Sequence, residues 1–123
     1  MKSDITLTLP WPPSVNHYWR NDRGVTHVSA SGRAYIRQVG FAVIEQLRRL
    51  PRLSSRLSVA IQAHPPDKRK RDLDNVLKAL LDGCTKAGLW VDDSQLDAIS
   101  IVRRQVVKFG LIVLEVKEVD GEG

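Results

Sequence analysis

Cysteine, grouped histidines and long apolar runs are all scarce in this chain, and each scarcity removes a class of protein. The single cysteine, Cys84, allows no intrachain disulfide, which fits a reducing compartment. The three histidines, His17, His27 and His64, are scattered without metal-ligand spacing, so zinc is not expected. No apolar run approaches the roughly 20 residues that cross a bilayer. Met1-Lys2-Ser3-Asp4 leads toward a strand rather than a signal peptide. A cytoplasmic protein with no membrane partner is expected. Internal repeats, low-complexity tracts and a glycine-rich phosphate loop are also absent, and no linker suggests a second domain.

What is present fits one ordinary folded unit over residues 1–123, with 42% hydrophobic and 27% charged residues. A chain of this length buries roughly two-thirds of its unfolded surface, enough for a core without staples. The formal net charge is +5 and the isoelectric point about 9.7, which suits a polyanionic partner without proving one.

Ile5, Leu7 and Leu9 alternate with polar residues as a half-buried strand, stopped by Pro10-Trp11-Pro12-Pro13. Residues 10–30 read as a long aromatic and polar loop holding Trp11, His17, Tyr18, Trp19, Arg20 and Arg23. Long loops in compact domains are usually functional or mobile. Its tryptophans can cover a core edge, or its aromatics and arginines can face unpaired bases. Asn21-Asp22-Arg23-Gly24 suits a turn that pairs Trp19-Arg20 with Val25–Val28. Ser29 or Ser31 then caps a helix whose apolar line is Ile36, Gly40, Val43, Leu47 and Leu50, ended by Pro51. Leu57, Val59, Ile61 and Ala63 alternate as a second strand. Beyond Asp93, Ile99, Ile101, Val106 and Val107 lead through a turn at Lys108-Phe109-Gly110 into Leu111–Val116, which reads as an antiparallel hairpin. Leu111–Leu114 is apolar on both registers, hence central or covered on both faces, with a second subunit as one candidate cover. Lys117–Gly123 reads as a polar, frayed tail. The expected fold is a two-layer α/β (α+β) domain of order β-loop-α-β-α-β-β, a mixed sheet of about four strands with two main helices on one face.

Between these strands lies the most informative stretch, His64–Asp93. Two prolines precede four consecutive cations, Lys68, Arg69, Lys70 and Arg71, and then Asp72-Leu73-Asp74. Val76, Leu77, Leu80, Leu81, Cys84 and Ala87 fall on one side of the helix that follows; Asp74, Lys78, Asp82 and Thr85 fall on the other. Gly88 is the stop, and the acidic pair Asp92-Asp93 closes the stretch. Two readings compete at these residues. In one, Asp72 caps the helix, Asp74 complements its dipole and Lys78 pairs with Asp74 and Asp82. In the other, Asp72, Asp74 and Asp93 offer oxygens to a hard divalent cation, with Lys78 facing a phosphate. An EF-hand is excluded, because Val76 and Leu77 stand where that loop needs a ligand and a glycine.

The run RKRDLDNVLKALLDGCTKAGLWVDD resembles the central signature of the RusA family of Holliday junction resolvases. LPWPPSVNHYWR, with RGVTHVS-x-x-GRAY after it, resembles that family's opening segment. The resemblance implies a small, Mg²⁺-dependent, homodimeric endonuclease that resolves four-way DNA junctions by paired symmetric nicks in recombination and repair. Mn²⁺ is the alternative metal. The family's essential carboxylates map onto Asp72, Asp74 and Asp93 and its essential lysine onto Lys78, with no departure at these four positions. On this reading water rather than a side chain is the nucleophile. Lys78 stabilises charge on the phosphorane or leaving oxygen, and Lys68, Arg69, Lys70 and Arg71 grip the DNA backbone, with Arg20 and Arg23 as further DNA contacts. Asp92 is the weaker choice of the acidic pair. Two alternatives from other classes are a non-catalytic nucleic-acid-binding module and a small Mg²⁺-dependent phosphohydrolase.

Overall fold

Alternating apolar residues build the sheet that carries everything else. The computed structural model describes residues 4–119. Its elements are β1 (Asp4–Leu9), α1 (Val15–Tyr18), β2 (Trp19–Asp22), β3 (Val25–Val28), α2 (Ala30–Leu47), β4 (Leu57–His64), α3 (Leu73–Ala87), β5 (Leu96–Arg103) and β6 (Leu111–Glu118). The main sheet has the order β1-β6-β4-β5; β2 and β3 form a separate two-stranded sheet. β4 and β5 are parallel, whereas β6 runs antiparallel to both β4 and β1. The mixed four-stranded sheet with two main helices is the expected architecture.

In β4, Leu57, Val59, Ile61 and Ala63 are at most 2% exposed, as are Ile112, Leu114 and Val116 of β6. Each large side chain so buried contributes about 1.5–3 kcal/mol. The helices α2 and α3 cover this face, with Tyr35, Val39 and Val43 of one and Ala79, Leu80 and Cys84 of the other in the same core. Gly83 lets the two helices close up, since a Cβ there would stand 2.9 Å from the Tyr35 ring.

Several expectations change. β5 and β6 do not form a hairpin, because β4 lies between them and pairs with both. The apolar run of β4 needs neighbours on both sides, and the β5–β6 connection crosses its end, where Val107 N–H donates to Pro65 C=O at 3.0 Å. β6 is accordingly central, with Ile112, Leu114 and Val116 turned to the core and Leu111 and Val113, on the other register, only half-buried. Lys117 and Glu118 belong to β6 rather than to a tail; residues 120–123, like 1–3, lie outside the described residues. The loop over 10–30 is mostly regular structure: one turn of α1, then the β2–β3 hairpin, turning at Arg23-Gly24 as the sequence suggests. Helix α2 ends at Leu47, not at Pro51, with Arg48 left-handed at φ 67. Its buried line is Gly32, Tyr35, Val39 and Val43, about one residue off the expected stripe, because Tyr35 reaches inward and donates to Pro10 C=O at 2.8 Å. Ser29 is the cap, accepting from Gly32 N–H at 3.0 Å.

The arrangement β4–α3–β5 is a parallel crossover. Registers Leu9↔Ile112, His64↔Leu111 and Ala63↔Arg103 bring the exits of β1, β4 and β5 and the entry of β6 to one end of the sheet. The N-terminus of α3 opens at that end. Its C-terminus, stopped by Gly88 at φ 97, returns to the opposite end, where β5 begins.

Candidate metal centre and nucleic-acid groove

The basic run after β4 is shaped by its own aspartate. Asp67 pairs with Arg71 at 2.8 Å and with Arg69 at 3.1 Å. Arg71, then the Arg69 backbone N–H, hold the Asp67 carboxyl well below its ordinary pKa. Arg71 also donates to Asp67 C=O at 3.2 Å and lies 5.8 Å from the Trp11 ring centroid. Arg103 at the end of β5 donates to Arg71 C=O at 2.9 Å. Together Lys68–Asp72 with Arg103, Arg104, Gln105 and Val106 line an open groove of about 620 Å³. Lys68 and Lys70 are exposed and, among the described residues, form no ion pair. Arg20 and Arg23 lie exposed on the β2–β3 hairpin. Trp11 and Trp19 both pack against the core, so they cover its edge rather than stand free.

Asp72 occupies the N-cap position of α3 but makes no side-chain capping bond. Asp74 lies in the first turn, and both aspartates are exposed. Lys78, one turn on, is exposed beside Val15, Trp19 and Thr26. It does not pair with Asp82. That carboxylate is taken by Lys86 at 2.9 Å and by the Tyr18 hydroxyl, which donates at 2.5 Å. Burial, then Asp82, push the Tyr18 hydroxyl well above its ordinary pKa. Of the structural reading, the Asp72 cap and the Lys78–Asp82 pair are absent among the described residues, whereas Asp74 does stand in the first turn, where the helix dipole favours a carboxylate.

Asp93 stands elsewhere. Its Oδ1 accepts from the Thr85 hydroxyl and lies 3.3 Å from Trp90 Nε1. Thr85 is about 16 Å along the axis of α3 from Asp74 at ~1.5 Å per residue. β4 gives the same answer independently: Leu57, at its start, faces Leu96 just after Asp93, and His64, at its end, leads to the basic run. That strand climbs about 23 Å at ~3.3 Å per residue. One chain brings Asp72, Asp74, Lys78 and the cations together and leaves Asp93 at the far end. Consistently, no group of three or more His, Cys, Asp or Glu side chains able to hold a metal ion gathers among the described residues. Asp72 and Asp74 alone fit an ion such as Mg²⁺, which takes one or two carboxylates and fills its other positions with water and phosphate oxygens.

The profile of the family described as "Endodeoxyribonuclease RusA" matches residues 10–116. The chain belongs to the RusA family. Among the relatives of this RusA-family chain, the crossover junction endodeoxyribonuclease RusA of Escherichia coli (strain K12) is 44% identical over 117 residues, covering 95% of this chain and 97% of its own length. The enzyme of that name from Shigella sonnei (strain Ss046) is 43% identical over 117 residues. The one from Enterobacteria phage 82 is 42% identical over 116 residues, covering 94% of this chain and 96% of its own length.

Around the site of this RusA-family chain, Gln95, Arg103 and Arg104 were not legible in advance, whereas Asp92 and Cys84 were. Asp92 caps the turn before β5: it accepts from Ser94 N–H at 2.9 Å, and the Ser94 hydroxyl, then that N–H, lower its pKa. Gln95 is buried with its amide fully used, donating to Leu53 and Ser55 carbonyls at 2.9 and 2.8 Å and accepting from Val91 and Asp92 N–H. Arg103 and Arg104 reach the groove only because β5 is parallel to β4. Cys84 is fully buried; burial, then nearby Asp93, raise its thiol pKa, as befits a core residue. No helix among the described residues is long and apolar enough to cross a membrane.

Proposed function

We propose that this chain is a structure-selective DNA endonuclease that resolves four-way junctions by paired, symmetric phosphodiester cleavage, in recombination and repair in the cytoplasm. The observation that carries the reading is the cationic groove ending on two unengaged aspartates at the start of α3, with Lys78 one turn beyond. Lys68, Arg69, Lys70 and Arg71 bind the DNA backbone, which positions it without reading sequence. Arg20 and Arg23 extend the contact from the hairpin. Asp72 and Asp74 hold Mg²⁺, for which Mn²⁺ can substitute. Such an ion, when bound, polarises the phosphate and lowers the pKa of water. Lys78 stabilises negative charge as it develops on the phosphate oxygens.

Asp93 joins this site from a second chain. A junction has two-fold symmetry and needs two cuts, and a C₂ dimer supplies two equal sites. With Asp93 about a helix length from Asp74 in its own subunit, a site that uses all three aspartates requires Asp93 of the partner subunit. Val113, half-buried on the uncovered face of β6, is offered as part of the interface.

The test is incubation with a four-way junction and a matched linear duplex, with Mg²⁺, Mn²⁺ or EDTA. Nicks at symmetry-related positions are expected on the junction alone and with metal alone. Binding without cutting under every condition would return the chain to the class of non-catalytic DNA-binding modules.

A further inference from the structure

The turn between β5 and β6 presents a side chain that nothing inside the subunit explains. Gly110 N–H donates to Val107 C=O at 2.7 Å, closing a four-residue turn with Lys108 and Phe109 in the middle. Phe109 has φ 71 at the third place, where a positive φ ordinarily calls for glycine or asparagine. A bulky residue there is strained, and such strain clusters at functional sites. The ring is 82% exposed, more than any other large apolar side chain among the described residues, so burial does not offset the strain. Lys108 Nζ stands 5.2 Å from the ring centroid.

The turn is firmly seated. Val107 N–H bonds Pro65 C=O and Arg104 N–H bonds Ala63 C=O. A Cβ on Gly110 would stand 2.6 Å from the Trp11 side chain and 3.2 Å from Pro66 Cδ. The turn thus packs on the segment that leads into the basic run, and the connection that carries it lines the groove through Val106. An exposed aromatic on a firmly held turn beside a cationic groove is the combination by which proteins hold bases that have left the stack. A continuous duplex offers no such base face. A four-way junction does, where stacking breaks between its arms.

We propose that Phe109 stacks on an unstacked base at the branch point of a DNA junction, with Lys108 on an adjoining phosphate. The inference deepens the junction reading above and rests on it for the substrate class, so its test does not depend on cleavage. Junctions carrying 2-aminopurine at the branch point, and duplexes carrying it in the same sequence, are titrated with protein in EDTA. The parental chain should raise fluorescence on the junction only. Phe109→Ala should lose most of that rise and weaken junction affinity about fivefold or more, with duplex affinity unchanged. Phe109→Tyr should restore both. Phe109→Gly, which relieves the backbone, should match or exceed the parental Tm yet lose the signal, separating stacking from folding. A parental rise from Phe109→Ala would overturn the proposal. So would equal losses on junction and duplex, or a loss tracking a changed sedimentation coefficient, which would assign the ring to contact between copies. Normal Mg²⁺-dependent nicking with a Phe109-independent signal sinks this inference alone. A Phe109-dependent signal from a protein that never nicks sinks the nuclease reading and leaves the stacking.

Discussion

At the residue scale, Asp74 decides between a helix that is merely complemented and a helix that does chemistry. Asn keeps the shape of Asp and loses only its charge in the first turn of α3, so Asp74→Asn should cost no more than about 1 kcal/mol of stability. Junction affinity in EDTA should stay level or rise, because a carboxylate facing phosphate has been removed. Nicking with Mg²⁺ should fall by orders of magnitude; near-parental nicking would end the catalytic assignment. Lys78→Ala should also stop cleavage but bind slightly worse, since it takes a cation from the same surface. Asp67 makes a different prediction. Its pKa is lowered in the folded chain by Arg71 and Arg69, so its pairs contribute fully above the ordinary carboxylate pKa of about 3.9 and are lost as pH falls through the lowered folded value. A carboxyl NMR titration should place its midpoint below that of a free aspartate. A midpoint at the ordinary value would mean the arginines are not held.

At the element scale, the basic run and helix α3 work as one unit, but their cations are not equivalent. Lys68 and Lys70 have no ion-pair partner among the described residues, so changing either to alanine should flatten the log–log salt dependence of binding by about one unit, alike for all DNA sequences. Arg71 also ties the loop to Asp67 and Trp11, so Arg71→Ala should lower affinity further and loosen the loop. Slopes unchanged after replacing all four cations would show a solvated loop only. Much of this unit was legible from the chain. The α3 stripe and its Gly88 stop appear where periodicity and capping chemistry put them, and Asp72 holds the N-cap position though without the capping bond, because these features depend on neighbours within a few residues. The α2 stripe was read about one residue off, since Tyr35 is drawn inward by a carbonyl far away in sequence.

At the scale of the whole molecule, the parallel crossover β4–α3–β5 separates Asp93 from Asp72 and Asp74 within one chain, and the proposed dimer is what would reunite them. Mixing Asp74→Asn with Asp93→Asn chains should restore nicking at one of the two sites of the mixed dimer, because one site then holds Asp72 and Asp74 from one chain and Asp93 from the other, all intact. Sites built within one chain would stay dead in every mixture, and a monomer that cuts normally would exclude the dimer altogether. Sequence by itself determined what each segment is: amphipathic helix, alternating strand, cationic loop, acidic helix start. These follow from side-chain periodicity and short-range chemistry. It also carried the motif that places the chain among RusA endodeoxyribonucleases. Only the tertiary structure decided which segments meet. Nothing local says that β4 inserts between β5 and β6, which undid the expected hairpin and brought Arg103 and Arg104 to the groove. Nor does spacing in sequence say that a helix between two parallel strands must carry Asp93 to the opposite end of the sheet. The distance between the aspartates was set by strand pairing, a long-range choice driven by burial of β4 on both flanks, and no reading of neighbouring residues contains it.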